Sequence, residues 1–294
     1  MIRSNELGAF LRARRDRIRP QDVGLAAHGR RRVPGLRREE VAQLAGLSAQ
    51  YYLRLEQGRD HHPSAQVLDA LARVLRLDVE ATAYLYRLST PDRTHTSRHR
   101  TDQVPDGIRQ FVLARTDIPA VVTNRLQDVL VANPLAVALS PANTPGGNAL
   151  RAVFLDLEVR AMYDGGDRDW ERVAATMVAG IRALAGPESR DRRLAELVGE
   201  LSCLSEEFRR LWARQEVATC VSGTVVLTHP RVGRLELNHE KLAIPGTHGQ
   251  QLVFFHAAPD TESARSLALL AHLAHLAHDD ATAGHRGSRN HSGL

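Results

Sequence analysis

Lysine, cysteine and long apolar runs are nearly absent from this chain, and each absence removes a class of function. Among 39 basic residues Lys241 is the single lysine, a bias that reads as GC-rich coding. The two cysteines, Cys203 and Cys220, are too few and too far apart for zinc-finger spacing or a disulfide framework. Each is expected as a small buried apolar residue. No run reaches the roughly 20 apolar residues that span a bilayer, and Met1 to Phe10 lacks the apolar core of a signal peptide. The expectation is a cytoplasmic chain with no membrane role. No P-loop, nucleophile elbow, dinucleotide fingerprint or metal-protease helix occurs, so neither an enzyme nor a cofactor nor a metal site is expected.

What is present is a two-part charge distribution. Residues 1–100 carry 19 arginines against 11 acidic residues, a balance of +8, whereas residues 101–294 carry 20 basic and 23 acidic residues, a balance of −3. A basic first third beside a mildly acidic remainder fits phosphate neutralisation by one part and another task for the rest. The apolar fraction of 43% over 294 residues suffices for two domains with their own cores.

The stretch from Leu36 to Gly58 reads as two short helices joined by a tight turn. Val41, Ala42, Leu44 and Ala45 form an apolar stripe, Gly46 ends the first helix, and Ser48 caps a second in which Tyr52 and Leu55 turn inward. The outer face of the second helix then carries Ala49, Gln50, Tyr51 and Arg54. Those side chains offer a methyl contact, a bidentate amide, a stacking or phosphate contact and a guanidinium fork, the chemistry that reads a major groove. Arg12, Arg14, Arg15, Arg17 and Arg19, with Arg30, Arg31 and Arg32, precede it and would add affinity along the phosphates without choosing sequence. A plain helical hairpin is the competing reading, and the surrounding charge argues against it.

The text from Leu7 through Arg37-Arg38-Glu39-Glu40-Val41-Ala42 and Tyr51-Tyr52-Leu53-Arg54-Leu55-Glu56-Gln57-Gly58 resembles the phage-repressor-like (Xre) helix-turn-helix regulators, and within them the MmyB-like group. The resemblance implies an all-α domain of five helices over residues 1–90. It places Arg38 on phosphate and Ser48, Ala49, Gln50 and Arg54 on the groove; Tyr51 on the same outer face and the flanking Arg31, Arg32, Arg37 and Arg59 complete the expected DNA contacts. It also implies that Glu56 pairs with an arginine of the first helix, Arg12 or Arg14.

Residues 91–104 are polar, rich in hydroxyl and basic side chains, and read as a linker. Beyond them, strands over Ala120 to Leu126 and Asp128 to Asn133 precede a helix from Pro134 to Leu139. Helices follow over Arg151 to Met162, Trp170 to Ala185, Asp191 to Leu201 and, capped by Ser205, through Trp212. Strands return at Gly223 to His229, Gly233 to Leu237 and Gln251 to His256. Strands, helices, then strands predict an α+β domain over residues 105–260 with one sheet covered by helices.

The segments Asn124-Arg125-Leu126, Asn133-Pro134-Leu135-Ala136, Asp169-Trp170, Ser205 to Arg209, Leu211-Trp212 and His229 to Gly233 resemble the ligand-binding half of MmyB-like regulators. That resemblance implies a PAS-like α+β fold with an antiparallel sheet, holding a small apolar molecule such as a fatty acid. Arg125, Asn133, Arg160 and His229 are the candidates for its polar end. Asn133 also reads as a cap before Pro134, His229 as a strand end, and the two arginines as surface charges. In the tail, residues 261–294, a helix over Ala264 to Ala277 bears His272, His275 and His278, too spread around the helix for one metal site. Residues 279–294 are expected to be disordered.

Together these features predict an α+β protein that binds double-stranded DNA as a homodimer, since one reading helix covers only a half-site. A fatty-acid-like effector would control it. The competing readings are a constitutive regulator whose second domain serves dimerisation or a protein partner, and an enzyme carrying a DNA-targeting domain.

Overall fold

The computed structural model describes residues 5–25, 35–60, 62–89, 102–163, 169–186, 191–219 and 221–289. The chain divides into two compact units, Met1–His99 with Val178–Thr219, and Arg100–Met177 with Cys220–Leu294.

The first unit begins with α1 (Glu6–Arg15), α2 (Arg38–Ala45), α3 (Ala49–Glu56), α4 (Ala65–Val74) and α5 (Val79–Ser89), the five helices expected. Local chemistry sets their ends. Asn5 Oδ1 accepts from Gly8 N (3.0 Å), Ser48 Oγ from Tyr51 N (3.1 Å), Ser64 Oγ from Val67 N (3.4 Å) and Asp78 Oδ1 from Ala81 N (2.7 Å). Gly46, at φ 69°, supplies the left-handed residue that closes α2. Phe10, Leu11, Leu36, Val41, Tyr52, Leu55, Leu71, Tyr84 and Leu85 form one buried core. The close approach of α1 to α3 requires Gly8, where a Cβ would lie 2.1 Å from the Glu56 carbonyl oxygen.

The same unit gathers the second half of α10 (Asp169–Ala185), α11 (Arg192–Leu204) and α12 (Glu206–Ala213). Val217 is buried in the core of the first five helices and Ala183 packs against it. Arg17 Nη2 donates to Arg214 O (2.7 Å) and lies 3.1 Å from Glu216 Oε1, Arg87 Nη2 donates to Ala183 O (2.9 Å), and Thr219 Oγ1 donates to Glu80 Oε1 (3.0 Å). Arg182 is buried, with its guanidinium 3.8 Å over the Trp212 ring and donating to Gln215 Oε1 (2.7 Å) and Trp212 O (2.8 Å). Residues 178–219, which the sequence places within 105–260, therefore pack with the N-terminal helices. Periodicity says that a helix has an apolar face, not which core receives it.

The second unit is built on one antiparallel sheet of five strands in the order β2-β1-β5-β4-β3. The strands are β1 (Ala120–Thr123), β2 (Val129–Ala132), β3 (Ser222–His229), β4 (Gly233–Ala243) and β5 (Gln251–His256). On one face Val225, Leu227, Leu235 and Leu237 pack with α7 (Pro134–Leu139) and α13 (Glu262–Arg289) through Leu135, Leu139, Leu267 and Leu270. On the other, Ala120, Val122 and Leu252 pack with Val112 of α6 (Asp106–Ala114). This matches the expected PAS-like α+β domain.

Four details depart from the sequence reading. The helix expected over Arg151 to Met162 is two, α8 (Ala149–Leu155) and α9 (Leu157–Ala161), because Asp156 Oδ1 accepts from Glu158 N at 2.8 Å and starts a new helix. Strand β4 runs to Ala243, six residues past the expected end. Helix α13 continues to Arg289, so the expected disorder from residue 279 does not hold over that span; residues 290–294 lie outside the described residues. Cys203 is exposed, not buried, because it falls on the outer side of α11 while Leu194, Leu197, Val198 and Leu201 fill the inner side. Cys220, the linker to residue 101 and Arg30 to Arg32 lie outside the described residues. Among the described residues no helix is long and apolar enough to cross a membrane.

Candidate nucleic-acid interface

Helix α3 divides its side chains cleanly. Tyr52, Leu55 and Glu56 are buried, while Ser48, Ala49, Gln50 and Arg54 are exposed and Tyr51 is half-buried with the Arg54 guanidinium 5.4 Å from its ring centre. The exposed set is the one read from the sequence as groove-facing. Its geometry suits a major groove: a short helix with its N-terminal residues and one arginine outward. Arg37 and Arg59 are exposed beside it. The Arg37 backbone N–H donates to Glu40 Oε2 (2.7 Å), fixing the start of α2 and leaving the side chain outward.

Beneath this surface lies a buried ionic bridge. Glu56, with 0% of its side chain exposed, accepts from Arg15 Nε and Arg38 Nε, both at 2.6 Å. Arg15, 8% exposed, also donates from Nη1 to Leu36 O (2.8 Å), and Asn5 Nδ2 donates to Glu56 O (2.7 Å). Burial alone would raise the Glu56 carboxyl; the hydrogen bonds and charges of Arg15 and Arg38 outweigh it and hold the group below its ordinary value. The partner from the first helix is Arg15, in place of the expected Arg12 or Arg14. Arg14 instead sits 5.2 Å from the Phe10 ring centre. The helical turn decides this, since only the residue at position 15 faces both Glu56 and Leu36. Arg38, expected on phosphate alone, is also structural: its Nε is committed to Glu56 while the side chain stays 42% exposed.

In the sheet unit, the four candidates for a ligand's polar end sit at different places. Asn133 is fully buried and caps α7. Its Nδ2 donates to Arg115 O (2.8 Å) and Ile118 O (2.7 Å), and its Oδ1 accepts from Ala120 N (3.2 Å) and Ala136 N (2.8 Å). His229 is also buried; Nδ1 accepts from Arg231 N (3.2 Å), so Nε2 carries the proton and donates to Ala138 O (2.9 Å). Both side chains spend their hydrogen-bonding capacity on backbone. Arg160 lies 4.3 Å over the Trp170 ring, whose Nε1 donates to Val153 O (3.0 Å), and Arg125 lies in the turn between β1 and β2. Among the described residues no cluster of three metal-ligating side chains occurs; His272 and His275 are exposed on α13.

The MmyB-like transcription regulator ligand binding domain family matches residues 104–270, and a helix-turn-helix domain family matches residues 6–85. No curated protein matches the chain. A solved structure titled as an RNA-binding light-oxygen-voltage receptor aligns at 10% identity over 82% of this chain and 57% of that one, with a TM-score of 0.25. The matched ligand-binding domain spans more than half of the sequence and follows a helix-turn-helix whose reading face is exposed: the chain belongs to the MmyB-like family of DNA-binding transcription regulators.

Proposed function

We propose that this regulator binds an operator as a homodimer and that a small apolar, fatty-acid-like molecule held against the sheet changes its affinity for that operator. The observation that carries the DNA half is the outward set Ser48, Ala49, Gln50 and Arg54 on a helix fixed from behind by the Arg15–Glu56–Arg38 bridge. Phosphate-facing Arg37 and Arg59 supply affinity, and dimerisation doubles a short half-site. The ligand half is supported by the match of residues 104–270 to a ligand-binding domain family. The protein acts without catalysis, in the cytoplasm, where its operator lies.

The constitutive reading has one observation in its favour, the packing of residues 178–219 with the DNA-binding helices, which gives part of the second family domain a structural task. Fluorescence anisotropy with the chain's own upstream intergenic DNA and a random duplex, with and without tetradecanoate, separates the two. A ligand-dependent change confined to the specific duplex is expected; selective binding indifferent to ligand would favour the constitutive reading.

A further inference from the structure

We infer that Tyr51 is a positioning residue for sequence reading: its ring holds the Arg54 guanidinium on the outer face of α3 while leaving the donors of that fork open to a base. The inference rests on the operator-binding reading above and names the device that makes one side chain of that set selective. Positions 51 and 54 lie about one turn apart on α3, so their side chains are neighbours on its surface. They differ in what restrains them. Tyr51 is half-buried and packs against the core of the first five helices, whereas Arg54 is exposed. The Arg54 guanidinium carbon lies over the Tyr51 ring, 5.4 Å from its centre, within the roughly 6 Å at which a ring face attracts a cation. A ring fixed by the core therefore sets where a long, mobile side chain rests.

Two other arginines of this unit show what an aromatic partner changes. Arg15 and Arg38 are held by the Glu56 carboxylate, and each spends its Nε on it. An arginine held in that way has lost part of the donor fork that a guanine O6 and N7 accept from. Among the described residues no carboxylate and no hydrogen bond holds the Arg54 side chain. A ring restrains the cation through its quadrupole and takes none of its N–H donors. Restraint before DNA arrives also lowers the rotamer entropy lost when the fork meets a base. The position of this one fork matters because little else on α3 can read. Ala49 brings no hydrogen-bonding group, and Ser48 Oγ is engaged by the Tyr51 N–H at 3.1 Å, so polar readout falls mainly on Gln50 and Arg54. The Tyr51 hydroxyl is poorly suited to a phosphate contact of its own. Burial first, and the negative charge of Asp60 second, push the phenol up from its ordinary value, and the same carboxylate would repel a phosphate oxygen there.

The test is selection of duplexes from a randomised pool by the full-length protein, read as the base preference at each enriched position. The wild type is expected to enrich a motif, and Arg54→Ala to lose preference at one base pair of it. Tyr51→Leu keeps an apolar side chain against the core but has no π face. It is expected to reduce the preference at that same base pair by about 3- to 10-fold while the other positions keep theirs. Tyr51→Phe keeps the ring and should restore the preference. In an Arg54→Ala chain, Tyr51→Leu should add less than about twofold, because the two side chains act as a unit. Loss at a base pair that Arg54→Ala leaves intact would overturn the inference and make Tyr51 a reader in its own right. Uniform weakening at every position by Tyr51→Leu would overturn it too, leaving the ring a packing role alone. Failure of Tyr51→Phe to restore the preference would do the same, placing the effect in the hydroxyl. A motif that survives Arg54→Ala at every position would overturn the inference and leave operator binding standing. No enrichment by the wild type would overturn both.

Discussion

Removing Glu56 should unlock the DNA-binding unit. Glu56→Ala leaves Arg15, 8% exposed and lodged against Leu36 O, with only the half-exposed Asp16 carboxylate, 2.8 Å from its Nη1, as counter-charge. Breaking a buried pair costs about 3–5 kcal/mol, and with Asp16 in place the loss falls at the low end, about 3 kcal/mol. Arg38, 42% exposed, can turn to water, so its lost bond adds no more than about 1 kcal/mol. The sum is about 3–4 kcal/mol, a large share of the roughly 5–15 kcal/mol that holds a domain folded. Amide hydrogen exchange of α1 and α3, which reads the unit locally, is the suitable assay because a chain of two units need not unfold in one step. Adding Arg15→Met to Glu56→Ala should recover part of the loss, since it removes the stranded cation. The sign with pH follows from the lowered carboxyl. The stabilisation is fully present above the unfolded value, about 4.3, and disappears as pH falls through the lower folded value. The wild-type advantage over Glu56→Gln should therefore shrink on acidification. A Glu56→Ala loss below about 1 kcal/mol, or no recovery on removing Arg15, would refute the reasoning.

Gly8→Ala, which in an open helix would gain about 0.5–1 kcal/mol, should instead lower the thermal midpoint, because its Cβ would overlap the Glu56 carbonyl oxygen. Arg54→Ala should cost about 1–3 kcal/mol at one base pair of the operator and little on random DNA, whereas Arg59→Ala should weaken both duplexes alike and reduce the salt slope by about 1; anisotropy against a panel of single-base variants distinguishes them. Asn133→Ala should destabilise the ligand-free protein by about 3 kcal/mol or more in chemical denaturation, because four backbone groups lose their partner. A change in ligand affinity with unaltered stability would contradict its scaffold role.

Much of this architecture was legible because its signals are local. Ser48 and Gly46 bracket the turn, Pro134 and Asn133 start α7, and the alternation from Gly223 to His256 gives three strands. What escaped depends on distant partners. The choice of Arg15 over Arg12 or Arg14 is set by the facing of α1 against α3, and the packing of residues 178–219 with the first helices by a core to which Val217 contributes from far along the chain. The register that sets Val121, Val253 and Lys241 in one row across β1, β5 and β4 has no signature in any one strand. Asn133 and His229 looked like ligand contacts because polar residues within an apolar domain invite that reading; their partners are backbone atoms close in space, which no spacing rule exposes.

The most direct test of the account is the affinity of the delipidated, full-length protein for its own upstream intergenic DNA and for a random duplex at near-physiological salt, titrated with tetradecanoate. The account predicts selective binding that shifts as the acid is added, with no comparable shift on random DNA. Selective binding that stays constant through saturation with tetradecanoate would contradict the ligand-responsive mechanism, and equal affinity for the two duplexes would contradict the assignment of that upstream DNA as the sequence α3 reads.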